Sequence, residues 1–220
     1  MTLRADQPAQ EPAIVDEFDG GFGWIAHPEE TMQRASHAVD FGDGVWIVDP
    51  VDAPGIDEKI EALGPVKGVV ILLDRHERDT AAFANRFDVP VYRPPYVDRA
   101  FDAPVELLGA TLPGEDVEVR RVLDWPGWSE AALFDGETLV LADVLGTVSY
   151  FKAGQEQLGV HPMVRLAPPR GLRALSPERI LVGHGAGVHE NAARELRRAI
   201  DAGRRGLPRA WAGALASMLS

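Results

Sequence analysis

The chain has 220 residues, 34 acidic against 22 basic, a net charge of −12, and 45% hydrophobic composition. That describes an ordinary globular chain long enough to bury a substantial core. The acidic balance argues against a nucleic-acid partner, which needs a basic face to release counterions. The absence of cysteine excludes disulfides, thiolate zinc sites and a cysteine nucleophile, so any metal must be held by imidazole, carboxylate or water.

No apolar run reaches the roughly 18 to 20 residues needed to span a bilayer, so no membrane partner is expected. The first twenty residues lack the basic and apolar regions of a signal peptide, and the expected location is the cytoplasm. Residues 1–20, rich in Asp, Glu, Gln and Pro, are expected to form a flexible tail before a single domain over 21–220.

In chain order, residues 23–27 read as a first strand. Residues 34–41 and 45–48 form a hairpin around Gly42-Asp43-Gly44, where Asp-Gly suits the positive φ of a tight turn. A helix over 56–63, closed by Gly64, leads to the apolar run Val69 to Leu73, a strand buried on both faces. That order is a βαβ unit. A helix is expected from Thr80 to Phe87, then strands at 89–92, 105–108, 117–123, 131–134 and 138–142. The stretch 144–177 is loop-rich, with Pro162, Pro168 and Pro169 blocking long elements. A strand at 179–182, a helix over about 190–202 and a terminal amphipathic segment over 208–219 complete the chain. Hairpin strands, then βαβ, then a second strand run predict two sheets with helices outside.

The apolar run at Val69 empties into six consecutive titratable residues, Asp74-Arg75-His76-Glu77-Arg78-Asp79. Charge at the carboxyl end of a buried strand is costly unless solvent, pairing or a ligand satisfies it, and that edge is where open α/β sheets bind ligands. Three later positions also place polar groups just past apolar runs: the turn Asp124 to Trp128, Asp143, and His184 between glycines. The spacing Gly183-x-Gly185-x-Gly187 between strand and helix has the form of a phosphate-cradling loop, but too little chain follows it for a dinucleotide fold. Ser36 and Ser149 lack an elbow motif, which leaves a serine hydrolase unsupported. The arginines at 194, 197, 198, 204 and 205 read as a solvated helix face.

Taken in order, these motifs resemble the metallo-β-lactamase fold superfamily over roughly residues 20–203. Asp74, His76, Arg78 and Asp79 align with its His-x-His-x-Asp-His motif, of which only the second histidine is retained. Pro126-Gly127-Trp128 aligns with its Pro-Gly-His turn, Ala142-Asp143 with its bridging aspartate, and Gly183-His184-Gly185 with its last ligand. The resemblance implies an α/β, four-layer αββα sandwich.

It also implies a metal site drawn from Asp74, His76, Asp79, Asp143 and His184, the same five residues being the candidate catalytic set. An indole at 128 cannot ligate, and Arg78 brings a fixed positive charge where a carboxylate belongs, so at most one metal is expected. Two imidazoles and a carboxylate suit one zinc, iron or manganese ion and the hydrolysis of a small ester, thioester or phosphoester. Trp128, Tyr150 and His161 are the expected substrate contacts, His161 also as an acid. The alternative is a metal-free, catalytically inactive descendant that binds a small ligand or protein partner, with Arg78 pairing Asp79 or Asp143. His189 is expected to cap the last helix or lie on the surface, and His37 to be a core or rim histidine.

Overall fold

The computed structural model describes residues 8–219, with side chains described over 8–212. In chain order the elements are β1 (Ala13–Phe18), β2 (Gly21–Ile25), β3 (Ala35–Asp40), β4 (Val45–Val48), α1 (Ile56–Leu63), β5 (Val66–Val70), α2 (Thr80–Phe87), β6 (Val91–Arg93) and β7 (Val105–Leu107). There follow β8 (Glu118–Trp125), β9 (Trp128–Phe134), β10 (Thr138–Leu141), β11 (Leu145–Gly146), β12 (Gly159–Val160), a 3₁₀ turn (Arg170–Ala174), β13 (Arg179–Val182) and α3 (Ala192–Leu219).

Strands β1 to β7 lie in sequence order in one seven-stranded sheet, antiparallel from β1 to β4 and parallel from β4 to β7. The second sheet has the order β13-β10-β9-β8, with β13 parallel to β10, and β11 pairs with β12 apart from both. The hairpin between β3 and β4 forms as expected, the Asp40 carboxylate accepting the Gly42 and Gly44 N–H groups at 2.8 and 3.2 Å.

Side-chain alternation divides the core in two. Trp46, Val48, Val70 and Leu72 face the second sheet and pack with Leu133, Leu139, Leu141 and Val182. Their neighbours Val45, Ile47, Val69 and Ile71 point the other way, onto Ile56 and Ile60 of α1 and Phe83 of α2. Leu196 and Ile200 of α3 close the far side of the second sheet. The result is the expected α/β sandwich: helices, sheet, sheet, helix.

Three expectations shift. The sheet begins at Ala13, inside the segment expected as tail, because β1 pairs with β2 (Ile14 opposite Trp24). Residues 1–7 of that segment lie outside the described residues. The turn Pro126-Gly127 joins two long paired strands, with Trp125 opposite Trp128. The last two segments form one helix that continues through Pro208, which removes one backbone hydrogen bond without ending it. Among the described residues, no helix is long and apolar enough to cross a membrane.

The two sheets are sewn together at one edge. The Ala131 N–H donates to the Leu72 carbonyl at 2.8 Å and the Asp74 N–H to the Ser129 carbonyl at 3.1 Å. On the other side, the Ala35 N–H donates to the Gly183 carbonyl at 2.9 Å. These seams carry the Asp74 segment and His184 toward the same point.

Candidate metal centre

Three side chains from three strand ends converge there. His76 Nε2 lies 3.2 Å and His184 Nε2 2.9 Å from the same oxygen, Asp143 Oδ1. Each residue offers one ligand atom, and these atoms all lie within 4.8 Å of one another. The approach depends on glycine at 183 and 185. A Cβ at Gly183 would stand 2.6 Å from the Ala142 carbonyl oxygen, and one at Gly185, where φ is +88°, 2.3 Å from Thr147 Oγ1.

Each imidazole is held from behind. His184 Nδ1 donates to the Met32 carbonyl at 2.7 Å, which leaves Nε2 to face the cluster with a lone pair or a second proton. His76 Nδ1 lies 3.0 Å from Asp49 Oδ2, an ion contact off the line of a hydrogen bond. Burial and the nearby Arg78 push the His76 pKa down, but the Asp49 and Asp143 carboxylates outweigh them and the net shift is upward. Burial pushes Asp143 up, yet His76 and His184 hold it well below the usual carboxylate range.

Asp74 and Asp79 stand outside this group. Asp74 Oδ2 accepts the Ser129 N–H at 2.9 Å, and its Oδ1 is buried with no hydrogen bond. Asp79 precedes α2, and its Oδ2 accepts the Asp52 N–H at 2.7 Å. It lines the 820 Å³ hollow at the start of α1, away from the imidazoles.

Arg78 does not hydrogen-bond Asp79 or Asp143, contrary to expectation. Its guanidinium donates to the backbone carbonyls of Ala35, Asp49 and Gly183, so one partly buried cation ties together the ends of β3, β4 and β13. Its φ of +44° is uncommon for a non-glycine residue and turns the side chain back into that junction. It is Arg75 that reaches Asp143, Nη2 to Oδ2 at 3.4 Å, while its guanidinium stacks 4.0 Å above the Trp128 ring.

The aromatic residues form a wall beside the cluster. The His161 ring meets Trp128 edge-on at 4.7 Å, Tyr150 at 5.4 Å and Phe151 at 5.2 Å, and Phe151 stacks on His184 at 5.5 Å. Burial pushes the His161 pKa down to about 4, with Asp143 opposing and the Arg75 and His184 charges assisting. The Met163 N–H donates to His161 Nδ1 at 3.2 Å. At neutral pH His161 is therefore an uncharged ring whose hydrogen sits on Nε2, an N–H donor rather than a cationic acid.

Two residues in contact with the cluster escaped the sequence reading. Asp49 backs His76, and its only signal was Asp-Pro directly after a buried strand. Glu130 is fully buried below Asp143: Oε1 accepts the N–H groups of Ala142, Asp143 and Val144 at 3.2, 2.9 and 3.0 Å, and Oε2 accepts Trp128 Nε1–H at 3.0 Å. Burial and the facing Asp143 charge raise its pKa to about 8, against the indole and backbone N–H groups that favour the carboxylate. A charged residue in the buried strand Trp128 to Phe134 was the available signal.

No family model and no curated protein sequence matches the chain. Solved structures do. A DIM-1 metallo-β-lactamase exposed to ceftazidime is 14% identical with a TM-score of 0.61, the match covering 89% of this chain and 99% of that one. A metallo-β-lactamase from Pontibacter korlensis is 12% identical, with a TM-score of 0.62 and coverage of 87% and 99%. The FIM-1 metallo-β-lactamase from Pseudomonas aeruginosa, in its mono-zinc form, is 12% identical, with a TM-score of 0.55 and coverage of 93% and 100%.

Proposed function

We propose, for a chain that has the metallo-β-lactamase fold, a hydrolase of small esters, thioesters or phosphoesters that works with a single divalent ion held by His76, Asp143 and His184. The observation that carries this reading is the convergence of two imidazole Nε2 atoms on one carboxylate oxygen, with His184 Nδ1 hydrogen-bonded to the Met32 carbonyl and His76 Nδ1 3.0 Å from Asp49 Oδ2. Metal-ligating histidines are oriented in that way by their second nitrogen. The donor set is one that zinc, iron or manganese accepts. When bound, such an ion supplies Lewis-acid polarisation and an activated water.

The chain's own residues do the rest. The Met32 carbonyl fixes the His184 ring, the Asp49 carboxylate lies against His76 Nδ1, and Glu130 holds the backbone that presents Asp143. The Trp128, Tyr150, Phe151 and His161 wall screens one side of the cluster from water and receives the apolar part of a substrate. Arg75, half exposed on Trp128, presents N–H donors to a carbonyl or anionic oxygen. Asp74 completes the shell only if its unpaired Oδ1 swings inward.

One observation favours a second reading. Arg75 already pairs with Asp143 and the partly buried Arg78 lies close by, so without metal the cluster is an imidazole–carboxylate–guanidinium network suited to binding a ligand without hydrolysing it. Metal analysis of purified protein separates the two. About one equivalent of metal, reduced to background in His76→Ala and in His184→Ala, is the expected result. Background metal in the wild type across neutral pH would sink the hydrolase.

A further inference from the structure

The chain is strongly acidic, yet four arginines meet in one hollow that shares no lining residue with the imidazole cluster. Arg170 and Arg173 of the 3₁₀ turn and Arg204 and Arg205 of α3 surround a cavity of about 470 Å³ floored by Pro168 and Ile200. Asp201 is the lone acid among the lining residues, and it is already engaged by Arg173 through a two-point pair at 2.8 and 3.0 Å. Arg204 is steered into place by Nε donating to the Leu166 carbonyl at 2.8 Å, which leaves both its terminal amino groups available. Among the described residues the Arg170 and Arg205 guanidiniums make no side-chain hydrogen bond and no close ion pair, though both act electrostatically on Asp201.

Gathering four guanidiniums around one carboxylate costs electrostatic energy that a solvated helix face avoids by spreading its charge. An anion carrying several charges offsets that cost. Guanidinium forks match the oxygen geometry of phosphate in two-point contacts, and the volume falls within the range of roughly 300 to 1,000 Å³ typical of small-molecule sites. One carboxylate, already paired with Arg173 and acted on at longer range by Arg170 and Arg205, leaves a surplus of positive charge that matches an anion of more than one negative charge. A second hollow of about 340 Å³ shares Pro168 and Arg170 with the first and is lined by Arg120, Arg121, Asp124 and the exposed Trp125, Arg120 pairing with Glu118 and Arg121 with Asp124. A flat aromatic edge beside a cationic cradle suits a ring carried on a phosphate chain.

We propose that this hollow binds a small molecule bearing two or three linked phosphates, the phosphates on Arg170, Arg173, Arg204 and Arg205. The site is independent of the His76, Asp143 and His184 centre.

Calorimetric titration of the full chain with sodium tripolyphosphate, in buffer containing EDTA so that metal chelation gives no signal, tests it. Saturable binding at low salt is expected, weakening steeply between 50 and 200 mM salt as phosphate contacts do. The Arg170→Ala/Arg205→Ala double variant should bind at least tenfold more weakly while melting at the wild-type temperature, and His184→Ala should bind like wild type. If that double variant unfolds, Arg205→Gln alone is expected to weaken binding at least threefold in a folded chain. Adenosine triphosphate binding more tightly than tripolyphosphate, with the advantage lost in Trp125→Ala, would identify the ring as part of the ligand; equal affinity would identify the phosphates as all of it. No binding at millimolar tripolyphosphate, wild-type affinity in the arginine variants, or much tighter binding of an RNA oligomer would overturn the proposal.

Discussion

Among the described residues, Asp143 and Asp16 each lie between two histidines, and the two clusters are built differently. At Asp143, both imidazoles approach one oxygen and their donor atoms close into a single group. At Asp16, they take opposite oxygens: His189 Nε2 lies 3.0 Å from Oδ1, and His37 Nε2 lies 3.7 Å from Oδ2, beyond hydrogen-bond reach. Asp16 Oδ1 also accepts the Gly187 N–H at 2.7 Å, so this second cluster clasps edge strand β1 to the loop that follows His184. Identical residue types thus make a candidate metal centre in one place and a strand clasp in the other. Convergence on a common point, rather than composition, separates them.

The largest difference expected between the two clusters is in metal occupancy. His76→Ala and His184→Ala are expected to lose the metal entirely, and His37→Ala and His189→Ala to keep it within error when measured by the same elemental analysis. Metal lost equally in both pairs would mean that the two clusters do not differ as described.

Arg78 comes next in expected effect. Removing a partly buried cation that donates to three strand-end carbonyls should cost about 3 kcal/mol of stability in Arg78→Met, the range for hydrogen bonds to charged groups. Urea unfolding reads this directly, and a loss below about 1 kcal/mol, within the range of surface substitutions, would make the junction dispensable.

The smallest effect is confined to acid. Burial pushes the Asp16 pKa up, but His37, His189 and the Gly187 N–H outweigh it and the net shift is downward. A carboxylate with a depressed folded pKa stabilises above its unfolded value, near 3.9, and that contribution disappears as pH falls through the folded value. Wild type should therefore exceed Asp16→Asn in stability by a constant margin above about pH 5, with the margin closing at lower pH. A margin that stayed unchanged down to about pH 2 would mean that Asp16 carries no such linkage.

The fold was legible in the sequence because its signals are local and periodic. The helices at 56–63 and 80–87 announce themselves through apolar spacing and termination, and the hairpin at Asp40 to Val45 through Asp-Gly. Placement of His76, Asp143 and His184 was legible too, since each follows an apolar strand. Asp49 and Glu130 were not, because their importance lies in what they touch across the sheets. The partners of Arg78 were misjudged for the same reason: backbone carbonyls carry no sequence identity, so a guanidinium bound to Ala35, Asp49 and Gly183 looks like one bound to an acid.

The order of elements, the division of the core into two faces, and the strand ends that carry polar groups follow from periods of two and 3.6 residues along the chain. The tertiary structure alone decided which groups share a point. It left Asp74 and Asp79 outside, brought Arg75 rather than Arg78 onto Asp143, placed Glu130 beneath it, and gave Asp16 a cluster of the same composition but not the same geometry. Distances across two sheets depend on packing and on seams such as Leu72 to Ala131, and no local pattern records them.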